Sequence, residues 1–153
     1  MATPNRPEQS SGPLLFGDLL ALARRSWIRQ MANGLKQLGY EDYRPTDAAV
    51  FRRLLRGPIA VGRLDEVLGA SRQAARKVVE GLERRGYAST ERDPEDARRL
   101  IVSLTPVGQL YAEAVVNVVE SLNGELVANL KPGDLAAARK VLLTVMAADV
   151  SDG

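Results

Sequence analysis

Neither cysteine nor histidine occurs among the 153 residues. Without cysteine there are no disulfides, thiolate zinc sites, thiol redox sensors or sulfur nucleophiles. Without histidine the chain lacks the usual general base, the usual metal ligand and the usual pH switch. A metal site would have to be built from oxygens alone, and no EF-hand-like run of acids is present. No Gly-rich phosphate loop or nucleophile–base pair appears either. The expectation is therefore no metal, no cofactor and no enzyme. Long apolar runs are also missing, and none approaches the roughly 18 residues of a membrane span. The opening M-A-T-P-N-R-P-E-Q-S-S-G has no apolar h-region, so a secretory signal is not expected and a cytoplasmic location is.

What is present is ordinary in bulk and uneven in distribution. Apolar content of 45% and charged content of 26% suit one globular domain with a real core. The net charge is only +2. Between Arg52 and Lys77, however, seven cations face two acids (Asp65 and Glu66), whereas from Gln109 onward three cations face six acids. A basic middle and an acidic end suggest that only the middle touches a polyanion.

The basic middle contains the most informative stretch, S-R-Q-A-A-R-K-V-V-E-G-L-E-R-R-G-Y from Ser71 to Tyr87. Ala75, Val78, Val79 and Leu82 fall at i, i+3, i+4 and i+7, one apolar stripe of a helix. Ser71 suits the N-cap and Gly86 the left-handed position past the C-terminus. Arg84 and Arg85 sit at the negative end of the helix dipole. Arg72, Gln73, Arg76 and Lys77 crowd the first two turns of the polar face, with no acid before Glu80. Arginine can fork onto guanine, glutamine onto adenine, and either cation onto phosphate. Such a face fits a helix entering a major groove; an ordinary solvated surface fits it equally well.

The flanking chain supplies context. Residues 1–12 read as a disordered tail. Pro13 suits the start of a helix running to about Gly39, with Phe16, Leu20, Trp27, Met31, Leu35 and Leu38 at helical spacing. Thr46 is positioned to cap a second helix, which Gly57-Pro58 stops. Ile59-Ala60-Val61 is a candidate edge strand. Arg63 to Leu68 fits a short helix with Gly62 at its cap, and Gly69-Ala70 turns into the basic helix. Helix, tight turn, basic helix is the helix-turn-helix pattern. Ala88 to Arg92, the turn at Asp93-Pro94, and the alternation Leu100-Val102-Leu104 predict a β-hairpin with charges at its tip. Thr105-Pro106 then starts a long helix with Leu110, Ala114, Val115, Val118, Val119, Leu122, Leu126 and Leu130 on one stripe and a candidate kink at Asn123-Gly124. Lys131-Pro132-Gly133 breaks the chain before a last amphipathic helix, and residues 151–153 should be frayed. The fold class is mainly α with a small β-hairpin.

This order of elements resembles the MarR family of winged helix-turn-helix transcription regulators over roughly Leu14 to Ala148. Its most specific pieces are L-E-R-R-G-Y (Leu82 to Tyr87), R-D-P-E-D-A-R (Arg92 to Arg98) and L-T-P-V-G (Leu104 to Gly108). The resemblance implies a single domain over 13–150, with 46–105 the winged helix-turn-helix and 13–39 and 106–149 the dimerisation helices. It implies a homodimer that binds double-stranded DNA at a palindromic operator. Ser71, Arg72, Gln73, Arg76 and Lys77 would meet bases and phosphates in the major groove. Arg92, Asp96, Arg98 and Arg99 would serve the wing, with Asp96 bracing the loop so that Arg98 or a neighbour reaches the minor groove. The family often carries arginine where Ala97 stands and a small residue where Arg99 stands, which displaces the wing-tip cation. Gly62 also replaces the family's usual hydroxyl cap.

Many members of the family are repressors released from DNA by a small, often aromatic and anionic, effector. Trp27, Tyr40, Tyr43 and Arg44 fall near where its pocket would lie; plain core and connector packing explains them as well. A winged-helix module for protein–protein contact, with no specific DNA site, is the rival reading. It predicts an apolar or acidic recognition face, which Arg72, Arg76 and Lys77 are not.

Overall fold

The computed structural model describes residues 15–148. The expected tail, Pro13 and the frayed end lie outside the described residues. Helix α1 spans Phe16–Gln37, α2 Asp47–Leu54, α3 Leu64–Leu68, α4 Arg72–Arg84, α5 Pro106–Ala128 and α6 Asp134–Ala148. Strands β1 (Ile59–Ala60), β2 (Ala88–Arg92) and β3 (Leu100–Leu104) form one antiparallel sheet in the order β1-β3-β2. The hairpin expected from sequence therefore gains a third strand, placed at the edge. Ile59 and Thr90 both lie opposite Val102, the one fully buried residue of the central strand.

The core gathers the apolar stripes of five helices. Met31 and Leu35 come from α1, Val50, Phe51 and Leu54 from α2, and Leu64 from α3. Ala75, Val79 and Leu82 come from α4, and Tyr111 and Val115 from α5. Fully burying one such Leu, Phe or Val contributes about 1.5–3 kcal/mol. Aromatic geometry adds to it: Tyr87 stacks on Tyr111 at 4.3 Å between ring centroids, and Phe51 meets both edge-on. In contrast, α6 buries none of its residues within the chain. Phe16, Leu19, Leu20 and Leu22 on α1 and Val141, Leu142, Leu143, Val145 and Met146 on α6 are all exposed.

Several local expectations give way to the structure. Thr46 makes no capping bond, because its own backbone is already helical (φ −78°, ψ −19°). Asp47, the first residue of α2, instead ties the preceding turn, its Oδ2 accepting from the Arg44 backbone N–H at 3.0 Å. Gly62 is not a cap either; it lies inside a 3-10 turn, Val61–Arg63, that leads into α3. Leu110 is exposed, while its neighbour Tyr111 is fully buried. The inward stripe of α5 is set by Tyr111, Val115, Val118 and Val119, one position away from the predicted frame at its start. Asn123-Gly124 does not interrupt α5, which runs unbroken to Ala128. Leu100 and Leu104 flank Val102 without being buried like it, so the predicted half-buried strand is buried at one position only. Thr105 does cap α5 as expected, accepting from Gly108 N–H at 3.0 Å, with Pro106 in the first turn.

Candidate nucleic-acid interface

Helix α4 is held from below and open above. Ser71 caps it through its Oγ, which accepts from Ala74 N–H at 3.2 Å. Ala75, Val79 and Leu82 anchor the inner face, and Gly69, in the left-handed conformation, makes the tight turn that delivers the chain from α3. The outer face then points away from the core by helical periodicity alone. Ser71, Arg72, Gln73, Arg76 and Lys77 are all exposed on it.

This face lines one wall of an open cleft of about 860 Å³. Arg72, Gln73, Arg76 and Lys77 contribute from α4, Arg98, Arg99 and Leu100 from the wing and β3, and Arg63 from the 3-10 turn. Six cations thus surround a concavity whose lining includes one carboxylate, Glu80. Like charges packed this way repel, and the field they sum to attracts a polyanion into the cleft. Arg63 pairs with Glu66 at 3.7 Å, both exposed, and the exposed Arg72 pairs with the half-buried Asp65 at 3.6 Å. Among the described residues Arg76 and Lys77 make no ion pair, which leaves their charges available.

The four predicted wing residues divide into two groups. Arg98 and Arg99 line the cleft, whereas Arg92 and Asp96 do not. Arg92 Nη1 donates to the Ala97 carbonyl at 2.6 Å, closing the base of the wing. Asp96 Oδ1 accepts from the Arg98 backbone N–H at 3.1 Å and lies 3.5 Å from Arg98 Nε, so it shapes the tip. Arg99 lies 3.8 Å from Asp93. The Arg98 side chain is 94% exposed, against 54% for Arg99. Arg63 was missed by sequence reasoning. It belongs to the basic middle of the chain, but only the fold sets it beside the wing.

The four candidate effector residues are not brought together. Tyr40 packs edge-on against Tyr111 at 5.0 Å, and Trp27 and Tyr43 are half-buried against the core. Burial, and then the nearby Asp47 carboxylate, raises the Tyr43 phenol above its ordinary value. Arg44 is exposed and lines a smaller cleft of about 280 Å³ with Lys77, Gly81, Arg84 and Arg85. None of the three aromatics reaches that cleft.

A buried polar network lies behind α4. Arg85, predicted to sit at the helix end facing the dipole, instead turns inward with its side chain 9% exposed. Its Nη1 and Nη2 donate to Asp47 at 3.0 and 2.7 Å, a two-pronged pairing with a carboxylate that is 1% exposed. Its Nε and Nη2 donate to the Asp42 side chain and carbonyl at 2.9 and 2.8 Å. The hydroxyl of Tyr111 donates to Asp47 at 2.7 Å and that of Tyr87 to Asp42 at 3.0 Å. Burial pushes Arg85 toward losing its proton, but the bonds to Asp47 and Asp42 prevail and raise it further above its ordinary value. Burial works to raise Asp42, yet the hydrogen bonds from Arg85 and Tyr87 hold it below the usual carboxylate range. Tyr87 is pushed up to about 12 by burial and by its bond to Asp42, and Tyr111 rises for the same reasons through Asp47. No buried side-chain polar atom among the described residues lacks a partner.

Comparison with known proteins agrees with this geometry. Residues 42–99 match the sequence model of the MarR family. That span contains two of the three signature segments, L-E-R-R-G-Y and R-D-P-E-D-A-R, so the resemblance read from them is borne out. The structure is similar to a probable transcriptional regulator from Pseudomonas aeruginosa, with 28% identity, a TM-score of 0.70, and coverage of 86% of this chain and 96% of that one. It is also similar to a mutant MarR from E. coli complexed with operator DNA, at 24% identity and TM-score 0.70, covering 84% and 91% of the two chains. A third similar structure is the PcaV regulator from Streptomyces coelicolor in complex with its natural ligand, at 22% identity and TM-score 0.72, covering 97% and 99%. The last two likenesses establish the winged-helix fold. No curated protein sequence matches the chain.

Proposed function

We propose that this chain, a winged-helix protein with the MarR-family sequence over residues 42–99, is a sequence-specific DNA-binding transcription regulator. One observation carries the reading. The cationic face of α4 and the wing arginines Arg98 and Arg99 line the same cleft. A helix for the major groove and a basic loop for the adjacent minor groove is the arrangement that winged-helix DNA readout requires. Arg72, Gln73 and Arg76 are assigned to base edges, and Lys77, Arg63 and Arg99 to phosphates.

The working unit is a homodimer on a palindromic operator. The exposed apolar side chains of α1 and α6 support this, because large apolar patches left exposed on one chain mark surfaces that a partner covers. Sedimentation at micromolar concentration should give a folded dimer, and a folded monomer would overturn this part. The proposed action is repression, relieved by a small aromatic or anionic effector. Arg44, which lines the smaller cleft with Lys77, Arg84 and Arg85, is its candidate contact. Release would follow if the effector preferred a conformation whose two α4 helices are mis-spaced. Among the described residues no helix is long and apolar enough to cross a membrane, which fits a protein whose partner is DNA.

Selection from a random duplex pool tests the reading, followed by titration of the winner against random DNA at several salt concentrations. A palindrome with half-sites about one helical turn apart is expected. With those three phosphate contacts per subunit, doubled in the dimer, the slope of log affinity against log salt should be about −5. Binding with no preferred sequence would reduce the cleft to a generic basic surface.

A further inference from the structure

The network around Arg85 ties together parts of the chain that DNA reading keeps apart. Asp42 lies in the connector after α1, Asp47 begins α2, Arg85 ends α4, and Tyr111 lies in α5. Recognition side chains occupy the N-terminal half of α4, whereas Arg85 is its C-cap. Beside it, Tyr87 N–H donates to the Leu82 carbonyl, and the Thr105 N–H donates to the Tyr87 carbonyl at 3.1 Å. The Thr105 hydroxyl donates to the Gly86 carbonyl at 2.6 Å. Gly108 closes the gap: a Cβ there would lie 1.7 Å from the Tyr87 oxygen. The end of α4 is thus fastened to α5 by two straps, one of side chains and one of backbone.

We infer that Arg85, Asp47 and Tyr111 act as positioning residues for DNA binding, a polar clamp that fixes the angle of α4 against α5. For its functional consequence the inference rests on the DNA-binding reading above; the clamp itself rests on geometry alone. A helix of thirteen residues is about 20 Å long, so a tilt of about 5° at the clamped end moves the far end by about 1.7 Å. Productive geometry at a binding site tolerates only about 0.5 Å. Aliphatic packing along Val79 and Leu82 permits such a tilt more readily than a two-pronged arginine–carboxylate pair does, because the pair's bonds are directional. The far end of α5 exposes Leu126 and Val127, so in the dimer proposed above the clamp sets the spacing of the two recognition helices as well as the aim of each.

The test uses the full chain with Arg85→Lys, which keeps the charge and loses the fork, and the milder Tyr111→Phe, which keeps the ring and loses its bond to Asp47. The first arm needs no DNA. Spin labels go on Gln73→Cys and Asn117→Cys, clean because the chain has no cysteine, with labelled chains diluted in unlabelled ones. At temperatures where every variant is folded, both substitutions should broaden the α4–α5 distance distribution or shift it by about 2 Å or more. An unchanged distribution in both variants overturns the clamp. The second arm compares operators whose half-sites are moved apart by one base pair. The penalty for the wrong spacing should shrink by roughly 2- to 30-fold in the variants, the range over which single substitutions alter coupling between sites. An equal loss on every spacing overturns the positioning role. If the unsubstituted protein selects no operator, the functional reading fails and the first arm still decides the clamp.

Discussion

Asp47 accepts four hydrogen bonds in a site that is 1% exposed, from the Arg44 N–H, both Nη atoms of Arg85 and the Tyr111 hydroxyl. Asp47→Ala removes all four and leaves a buried guanidinium with half its partners. Breaking a buried ion pair from one side costs about 3–5 kcal/mol. The low end applies here, since Asp42 still faces Arg85 Nε at 2.9 Å and is itself partly solvated. Arg85→Met should cost a similar amount, about 3 kcal/mol, by stranding the Asp47 carboxylate. The double variant removes both buried charges; it frees the Tyr111 hydroxyl and the Arg44 N–H from Asp47 and leaves the partly solvated Asp42 without Arg85, so its loss should be about 3–4 kcal/mol rather than the sum of about 6. The coupling energy is then about 2–3 kcal/mol. Each single variant should lower the thermal midpoint by about 10 °C for a chain of 153 residues. Urea unfolding at one fixed protein concentration measures all four species, because a dimer's stability depends on concentration. Losses that add to within about 0.5 kcal/mol would refute the reasoning and make the network a set of independent contacts.

Other predictions follow from single positions. Arg76→Ala should lower operator affinity by about 1–3 kcal/mol with little change on random DNA; an equal loss on both would make it a phosphate contact. Gly108→Ala should destabilise by about 2 kcal/mol or more, because the atoms in the way are the Tyr87 carbonyl and its carbon rather than a flexible side chain; a denaturant midpoint unchanged from the parent would contradict that packing. Tyr87 and Tyr111 both have folded values raised above the ordinary phenol value. Their contribution to stability is therefore complete below about pH 10 and is lost as pH rises through the folded values. Phenolate absorbance should show them titrating late, with Tyr87 near 12, and a single transition of all tyrosines near 10 would exclude the network.

The recognition helix was legible in the sequence because everything that defines it is local. The 3.6-residue stripe, the Ser71 cap and the turn at Gly69 lie within one short stretch, and they dictate that Arg72, Gln73, Arg76 and Lys77 face outward. The wing turn and the Thr105-Pro106 start of α5 are equally local, each carried by residues two or three apart. Errors arose where local pattern had to choose between equivalent frames. Leu110 and Tyr111 are both apolar enough to face inward, and the aromatic stack with Tyr87 decided for Tyr111.

Tertiary structure alone decided the rest. Asp47 and Arg85 are 38 residues apart, and each has a plausible local role at the end of its own helix. Helix dipoles favour acids at N-termini and arginines at C-termini whether or not they are buried. Only the packing of α2 against α5, with the C-cap of α4 brought beside both, removes both side chains from water, and desolvation then turns two ordinary surface charges into an obligatory pair. Arg63 likewise becomes part of the cleft only because β1 pairs with β3 and carries the 3-10 turn to the foot of the wing. Sequence determined which face of α4 carries the charge; the fold determined what that face lies beside and what holds it at its angle.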